Sequence, residues 1–252
     1  MTDLSAQLSA TSRPLRTSAV LNRAEIVLIA LLFGTGVLCL VVSAVKSQAV
    51  AWSGFGLGYA ACAGLFAVGL FIRLKKDQPN IAHLAIGNSL YLGFTATATL
   101  LIYLRFPVVG PLLDDHLIAF DRRFGYVWPD VVQWMAGYPV LGQALHYVYM
   151  SSLAQLFVLV TVLALSRRVL QLHRALLAGC VSLLLTTLVW WIAPSVGPAA
   201  FFAIPLETAE AINLFTDMQY GAYLRELVAN GLPEIAPHHI VGTIAFPSFH
   251  TV

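Results

Sequence analysis

Ile26–Val45, IVLIALLFGTGVLCLVVSAV, is a run of twenty residues without a charge. A helix rises about 1.5 Å per residue, so this run covers about 30 Å, the thickness of the hydrocarbon layer of a bilayer. The apolar core of a cleaved signal peptide is about 7–15 residues long. The run exceeds that, and although Val42-Ser43-Ala44 resembles a cleavage site, a retained membrane helix is expected. Comparable runs follow at Val50–Ile72, Ala82–Leu104, Leu145–Leu165 and Ala175–Ala193. Composition agrees: 59% of the residues are hydrophobic and 10% charged, whereas roughly a quarter are charged in soluble domains. The expected fold is all-α, a polytopic helical membrane bundle. It has five complete transmembrane helices, the start of a sixth near Phe249, and short interfacial helices between Arg105 and Gln143, where Trp128 and Trp134 sit at headgroup level.

Charge sets the expected orientation. The tail (1–22, with Arg23 at its edge) and the loops at 73–77 and 167–174 carry nine of the fourteen Lys and Arg residues. The connections at 46–49, 105–144 and 194–248 carry the other five and nine of the twelve acids. The positive-inside rule therefore places the N-terminus in the cytoplasm and residues 194–248 on the outer face. The formal net charge of +2 and the lack of a basic run interleaved with aromatics give no support to nucleic-acid binding. Cys39, Cys62 and Cys180 lie within apolar runs and read as small packing residues. The glycines at 54, 56, 58, 64 and 69 suggest close helix packing, and Asn88, Ser89, Thr95, Thr97 and Thr99 are expected to bond to neighbouring helices. His83, His116, His146 and His173 stand near span ends and read as interfacial. Adjacent residues point apart, so His238-His239 reads as a loop pair, not a metal site.

Chemistry is concentrated in Gly242-Thr243-Ile244-Ala245-Phe246-Pro247-Ser248-Phe249-His250-Thr251-Val252. Pro247 and Ser248 suit the start of a helix. The free N–H groups of the turn that follows would bind an anion, and a histidine there can donate a proton to a phosphate ester oxygen. Ser248, Phe249 and His250 thus form a candidate phosphate site with an acid beside it.

Phe246-Pro247-Ser248-Phe249-His250-Thr251 resembles the second signature motif of the type 2 phosphatidic acid phosphatase superfamily, closest to the branch that includes the inositol phosphorylceramide synthases. Asp121-Arg122-Arg123-Phe124-Gly125-Tyr126-Val127-Trp128-Pro129, Pro194-Ser195-Val196-Gly197-Pro198 and Tyr149-Met150-Ser151-Ser152-Leu153-Ala154-Gln155 are similar to stretches of bacterial members. The resemblance covers about residues 110–252. It implies a helical membrane bundle that acts on a phosphorylated lipid or lipid-like substrate through a phosphohistidine, without metal or cofactor. His250 would be the general acid. Ser248 and the backbone at Phe249 would bind phosphate, Arg122 and Arg123 are the cations in a matching stretch, and Ser195 and Gly197 would shape a turn over the site. Arg105 and Arg225 are weaker candidates for the same role. An inner bacterial membrane is likewise implied by the resemblance alone.

The superfamily's third motif, which carries the nucleophilic histidine, belongs beyond a sixth helix, and no such arrangement occurs upstream. The 252 residues are therefore expected to be a fragment of a longer enzyme and inactive on their own. The expected organisation is a cytoplasmic tail at 1–22, three membrane helices at 23–104 and the phosphatase-like part at 105–252. The rival reading is a non-catalytic membrane protein, an anion- or lipid-binding scaffold or a transporter.

Overall fold

A computed structural model describes residues 20–76 and 78–248 of the chain. Among the described residues, four helices are long and apolar enough to cross a membrane: α1 (Arg23–Lys46), α2 (Trp52–Lys75), α3 (Pro79–Tyr103) and α8 (Val169–Ile192). Between α3 and α8 lie α4 (Asp114–Arg123), α5 (Trp128–Ala136), α6 (Pro139–Met150) and α7 (Ser152–Leu165). The expected fourth span is not one straight helix. Its apolar run is divided between α6 and α7, which bend by 53° at their junction and together make a fifth candidate span. The protein is an all-α integral membrane bundle.

Local chemistry accounts for the helix ends. Asn22 and Glu25 form a reciprocal capping box at the start of α1, with Glu25 N donating to Asn22 Oδ1 (2.9 Å) and Asn22 N to Glu25 Oε2 (3.0 Å). Ser47, in the left-handed region, closes α1 and turns the chain into α2. Pro79 opens α3, where its missing N–H costs no helical bond.

α3 is the centre of the bundle, packing against α1, α2, α7 and α8. Leu28, Ile86, Phe94, Val160, Leu172 and Leu176 fill the half of the core nearer its start. Tyr103, Phe106, Trp190, Leu227 and Ile235 fill the other half. The hydroxyls along α3 mostly turn inward on their own helix: Thr95, Thr97 and Thr99 each donate to the carbonyl four residues back. Tyr59 of α2, 3.0 Å from Thr97 Oγ1, is the interhelical exception. This corrects the expectation that these groups bond across helices, because a carbonyl one turn away satisfies a hydroxyl without a partner helix. Of the α2 glycines, Gly69 is the one at α3: a Cβ there would lie 2.7 Å from Ile86 Cγ1. Gly56, Gly58 and Gly64 face open space.

Residues 194–248 hold more structure than the loop expected from the sequence. They contain a 3-10 turn at Pro198–Ala200, α9 (Leu206–Ala211) and α10 (Met218–Asn230). β2 (Glu234–Ile235) pairs in parallel with β1 (Ala49–Val50), in register Ala49 to Glu234 and Val50 to Ile235. This whole segment caps the end of the bundle where α1 and α3 finish. There the Lys46 ammonium donates to the carbonyls of Leu104 (2.8 Å) and Phe106 (2.7 Å).

The opposite end carries a polar cluster. Glu25, 1% exposed, receives Arg73 on both carboxylate oxygens at 2.7 Å. His83 Nδ1 and His173 Nε2 stand 3.7 and 3.5 Å from Glu25 Oε1. The interfacial reading of His83 and His173 is thereby refined: both turn inward onto one buried carboxylate.

Candidate active site

Three separate segments meet in a cleft of about 320 Å³ at the capped end. α4, the turn after it and the start of α5 contribute Asp114, Asp121, Arg122, Tyr126 and Trp128; the turn after α8 contributes Ser195, Gly197 and Pro198; the last described segment contributes Ala245 and Phe246. The size is at the lower end of the range typical for small-molecule sites. Most of the lining is apolar, with polar groups concentrated on α4 and at Ser195.

The last segment is pinned at several points before it reaches the cleft. Tyr103 Oη donates to the carbonyls of His239 and Val241 at 3.1 Å and accepts from Val241 N at 2.7 Å. Tyr223 Oη donates to the His239 carbonyl (2.7 Å), and Tyr220 Oη to the Gly242 carbonyl. Ala245 N donates to the Ser195 carbonyl at 3.1 Å. Burial pushes the Tyr220 phenol up to about 12, with the neighbouring Tyr149 adding to the effect. Burial also raises Tyr126, with help from the Asp121 carboxylate.

The turn at Ser195 is held from its other side. Asp114, 2% exposed, accepts from Ser195 Oγ (2.9 Å), Val196 N (3.0 Å) and Gly197 N (2.7 Å). Gly197 has φ 91°, a conformation that favours glycine, and a Cβ there would lie 3.0 Å from Ala245 Cβ. Asp114 is the site residue that the sequence reading missed. Two adjacent acids at the start of a surface helix look alike in sequence, and the partners of Asp114 lie some eighty positions away.

The candidate residues therefore separate. Arg122 lines the cleft and makes no hydrogen bond or ion pair among the described residues, whereas Arg123 is exposed outside the lining. Ser195 and Gly197 are at the cleft, but the serine hydroxyl and the Gly197 N–H are committed to Asp114. Ser248 is half-buried at the end of the pinned segment. Phe249 and His250 lie outside the described residues. Arg105 and Arg225 serve the backbone: Arg105 Nε donates to the Trp191 carbonyl (3.2 Å) and Arg225 Nη1 to that of Ala200 (2.9 Å). The Tyr149 stretch stands apart from the cleft, its ring 6.0 Å from that of Phe215.

Two groups bear on metal binding. Glu25, His83 and His173 each offer a ligand atom, all within 4.8 Å of one another. Arg73 already fills that space, bonding both carboxylate oxygens and approaching His83 Nδ1 to 3.0 Å, so the cluster is satisfied by an internal cation. The rings of His238 and His239 do not point apart as expected but lie 4.0 Å apart. No Cys or carboxylate completes a three-ligand group with them among the described residues.

Neither a curated protein nor a solved structure matches the chain. A family model described as the PAP2 superfamily matches residues 115–252, which include α4 from its second residue, the Ser195 turn and the segment leading to His250. That match spans more than half of the sequence, and the chain belongs to the PAP2 superfamily.

Proposed function

We propose that this protein is a membrane phosphatase or phosphotransferase of the inositol phosphorylceramide synthase-like branch, acting on a phosphorylated lipid or lipid-like substrate at the outer face. The observation that supports it is the convergence of α4, the Ser195 turn and the Ala245–Phe246 segment on one cleft beside Arg122, which has no partner among the described residues. An exposed cation beside an apolar cleft suits a substrate with an anionic head and an apolar body.

In the reaction proposed, an imidazole nitrogen attacks phosphorus and the ester P–O bond breaks. The leaving oxygen takes its proton from His250. Water or an acceptor alcohol then attacks the phosphohistidine, gives its proton back to His250, and the P–N bond breaks. Arg122 and the N–H groups after Ser248 hold the phosphoryl oxygens, which carry most of the charge in such transfers. No histidine lines the cleft among the described residues. The nucleophile in this reading is a second histidine, one that the described lining does not supply.

The test is phosphate release and headgroup transfer by the full-length gene product, its His250→Ala variant and its Arg122→Ala variant. Loss of a general acid should lower kcat by about 10²–10⁴-fold. Arg122→Ala should act on KM and kcat together. Full activity in His250→Ala would refute the acid assignment.

A further inference from the structure

Asp114 stands one position before the range matched by the family model, and the proposed chemistry gives it no role. Its carboxylate is nonetheless buried at the cleft wall with three donors: Oδ1 takes Ser195 Oγ and Gly197 N, and Oδ2 takes Val196 N. A buried carboxylate persists only where such donors meet it. The backbone reinforces the link, since Leu113 N donates to the Pro194 carbonyl at 2.8 Å.

The far side of the same turn carries the second-motif segment. The Ser195 carbonyl accepts from Trp190 Nε1 (2.9 Å), on the wholly buried indole in the last turn of α8, and from Ala245 N (3.1 Å). Gly197 leaves Ala245 room that a side chain would take. A continuous path therefore runs from the Asp114 carboxylate through Ser195 and Gly197 to Ala245, and every member of it lines the cleft.

We infer that Asp114 is a positioning residue: its carboxylate fixes the Ser195–Gly197 turn, and the turn fixes where the Ala245–Ser248 segment delivers His250. The inference rests on the reading of His250 as the acid. It also explains why Ser195 and Gly197 belong to the site without being free to bind phosphate. Asparagine is no substitute here, because all three contacts are donors. Its amide would turn an N–H toward either Val196 N or the Ser195 and Gly197 pair.

The test uses the full-length gene product in detergent micelles with dioleoyl phosphatidic acid as the probe. Asp114→Asn, Asp114→Ala and His250→Ala are compared by kcat, KM and amide hydrogen exchange. Misplacing a reacting group by about 1 Å can cost about 10²-fold, so Asp114→Asn is expected to lower kcat on that order with little change in KM. Exchange should quicken at Val196, Gly197 and Thr243–Phe246 and stay at the wild-type rate in α1–α3. Wild-type exchange at Thr243–Phe246 in Asp114→Asn, or an unchanged kcat beside a measurable wild-type rate, overturns the inference. A uniform quickening through the bundle assigns Asp114 to the scaffold and overturns it as well. If His250→Ala keeps full activity, the acid reading fails by itself, and the exchange data still judge whether Asp114 holds the segment. Exchange needs no turnover, so a preparation inert toward phosphatidic acid decides that linkage too.

Discussion

Replacing Arg73 by leucine isolates the Glu25 cluster, and its outcome can be worked out in advance. Glu25 is 1% exposed and would lose two charge-assisted bonds of 2.7 Å while keeping the Asn22 N–H at 3.0 Å. Removing one partner of a buried pair typically costs about 3–5 kcal/mol, because the other charge is left uncompensated. The Arg73 side chain is itself 17% exposed and the two imidazoles remain close by, which favours the lower end, about 3 kcal/mol. For a chain of this size that corresponds to a fall of about 6–12 °C in the unfolding midpoint. Glu25→Gln should cost less, since the orphaned guanidinium keeps the Val20 carbonyl at 3.0 Å and can turn to water. The double variant should be more stable than the sum of the two losses predicts, with an interaction energy of about 1–3 kcal/mol. The assay is thermal unfolding of detergent-solubilised protein at one fixed scan rate, followed by tryptophan fluorescence. A midpoint for Arg73→Leu within error of wild type, or strict additivity in the cycle, would refute the account of this cluster as a buried ion pair.

Two further outcomes follow from close packing and from titration. Gly221→Ala places a Cβ against the Ala199 carbonyl, whose carbon would be only 2.8 Å away, so α10 must leave the Pro198–Ala200 turn. Overpacking against backbone is expected to cost about 1–3 kcal/mol, against a gain of up to about 1 kcal/mol for Gly56→Ala, which meets open space; thermal midpoints of the two variants check the contrast. Burial pushes the Tyr220 phenol from the ordinary value near 10 up to about 12, so the unfolded state loses its proton first. Stability contributed by this phenol is therefore intact below the unfolded value and lost as pH rises toward the folded one. Tyr220→Phe should flatten the alkaline limb of the stability profile between those values, as read by denaturation at successive pH. An unchanged limb would show that Tyr220 is not the group responsible.

The membrane spans were legible because a bilayer sets one length and one composition, and α1, α2, α3 and α8 meet both. The bend between α6 and α7 was not, since Tyr149-Met150-Ser151-Ser152 carries neither Pro nor Gly to mark it. α10 left a readable trace in Asp217, whose side chain accepts from Tyr220 N, and in Gly231 at its far end. Its short polar sequence was outweighed by the loop residues on either side. At the site, the motif stretches could be picked out, but not the way they meet. Arg122 and Arg123 are equivalent in sequence, and the direction of the last turn of α4 puts only Arg122 at the cleft. The partners of Asp114 and of Glu25 are brought close by the packing of α1, α2, α3 and α8 and by the docking of α4 on the Ser195 turn, which no local pattern encodes.

The central place of α3 has a consequence for how the protein enters the membrane. A span surrounded by protein need not dissolve in lipid, and α3 is the least apolar of the four long helices, with Asn88, Ser89 and three threonines along it. Insertion machinery that tests each segment against lipid would retain α3 less readily than α1 or α2. Gly69 and the Tyr59–Thr97 contact give it a fitted surface on α2, the helix that precedes it in synthesis. Biogenesis of the bundle therefore depends on chain order: α1 and α2 must already be in the bilayer to receive α3, and α3 then provides the wall on which α7 and α8 assemble.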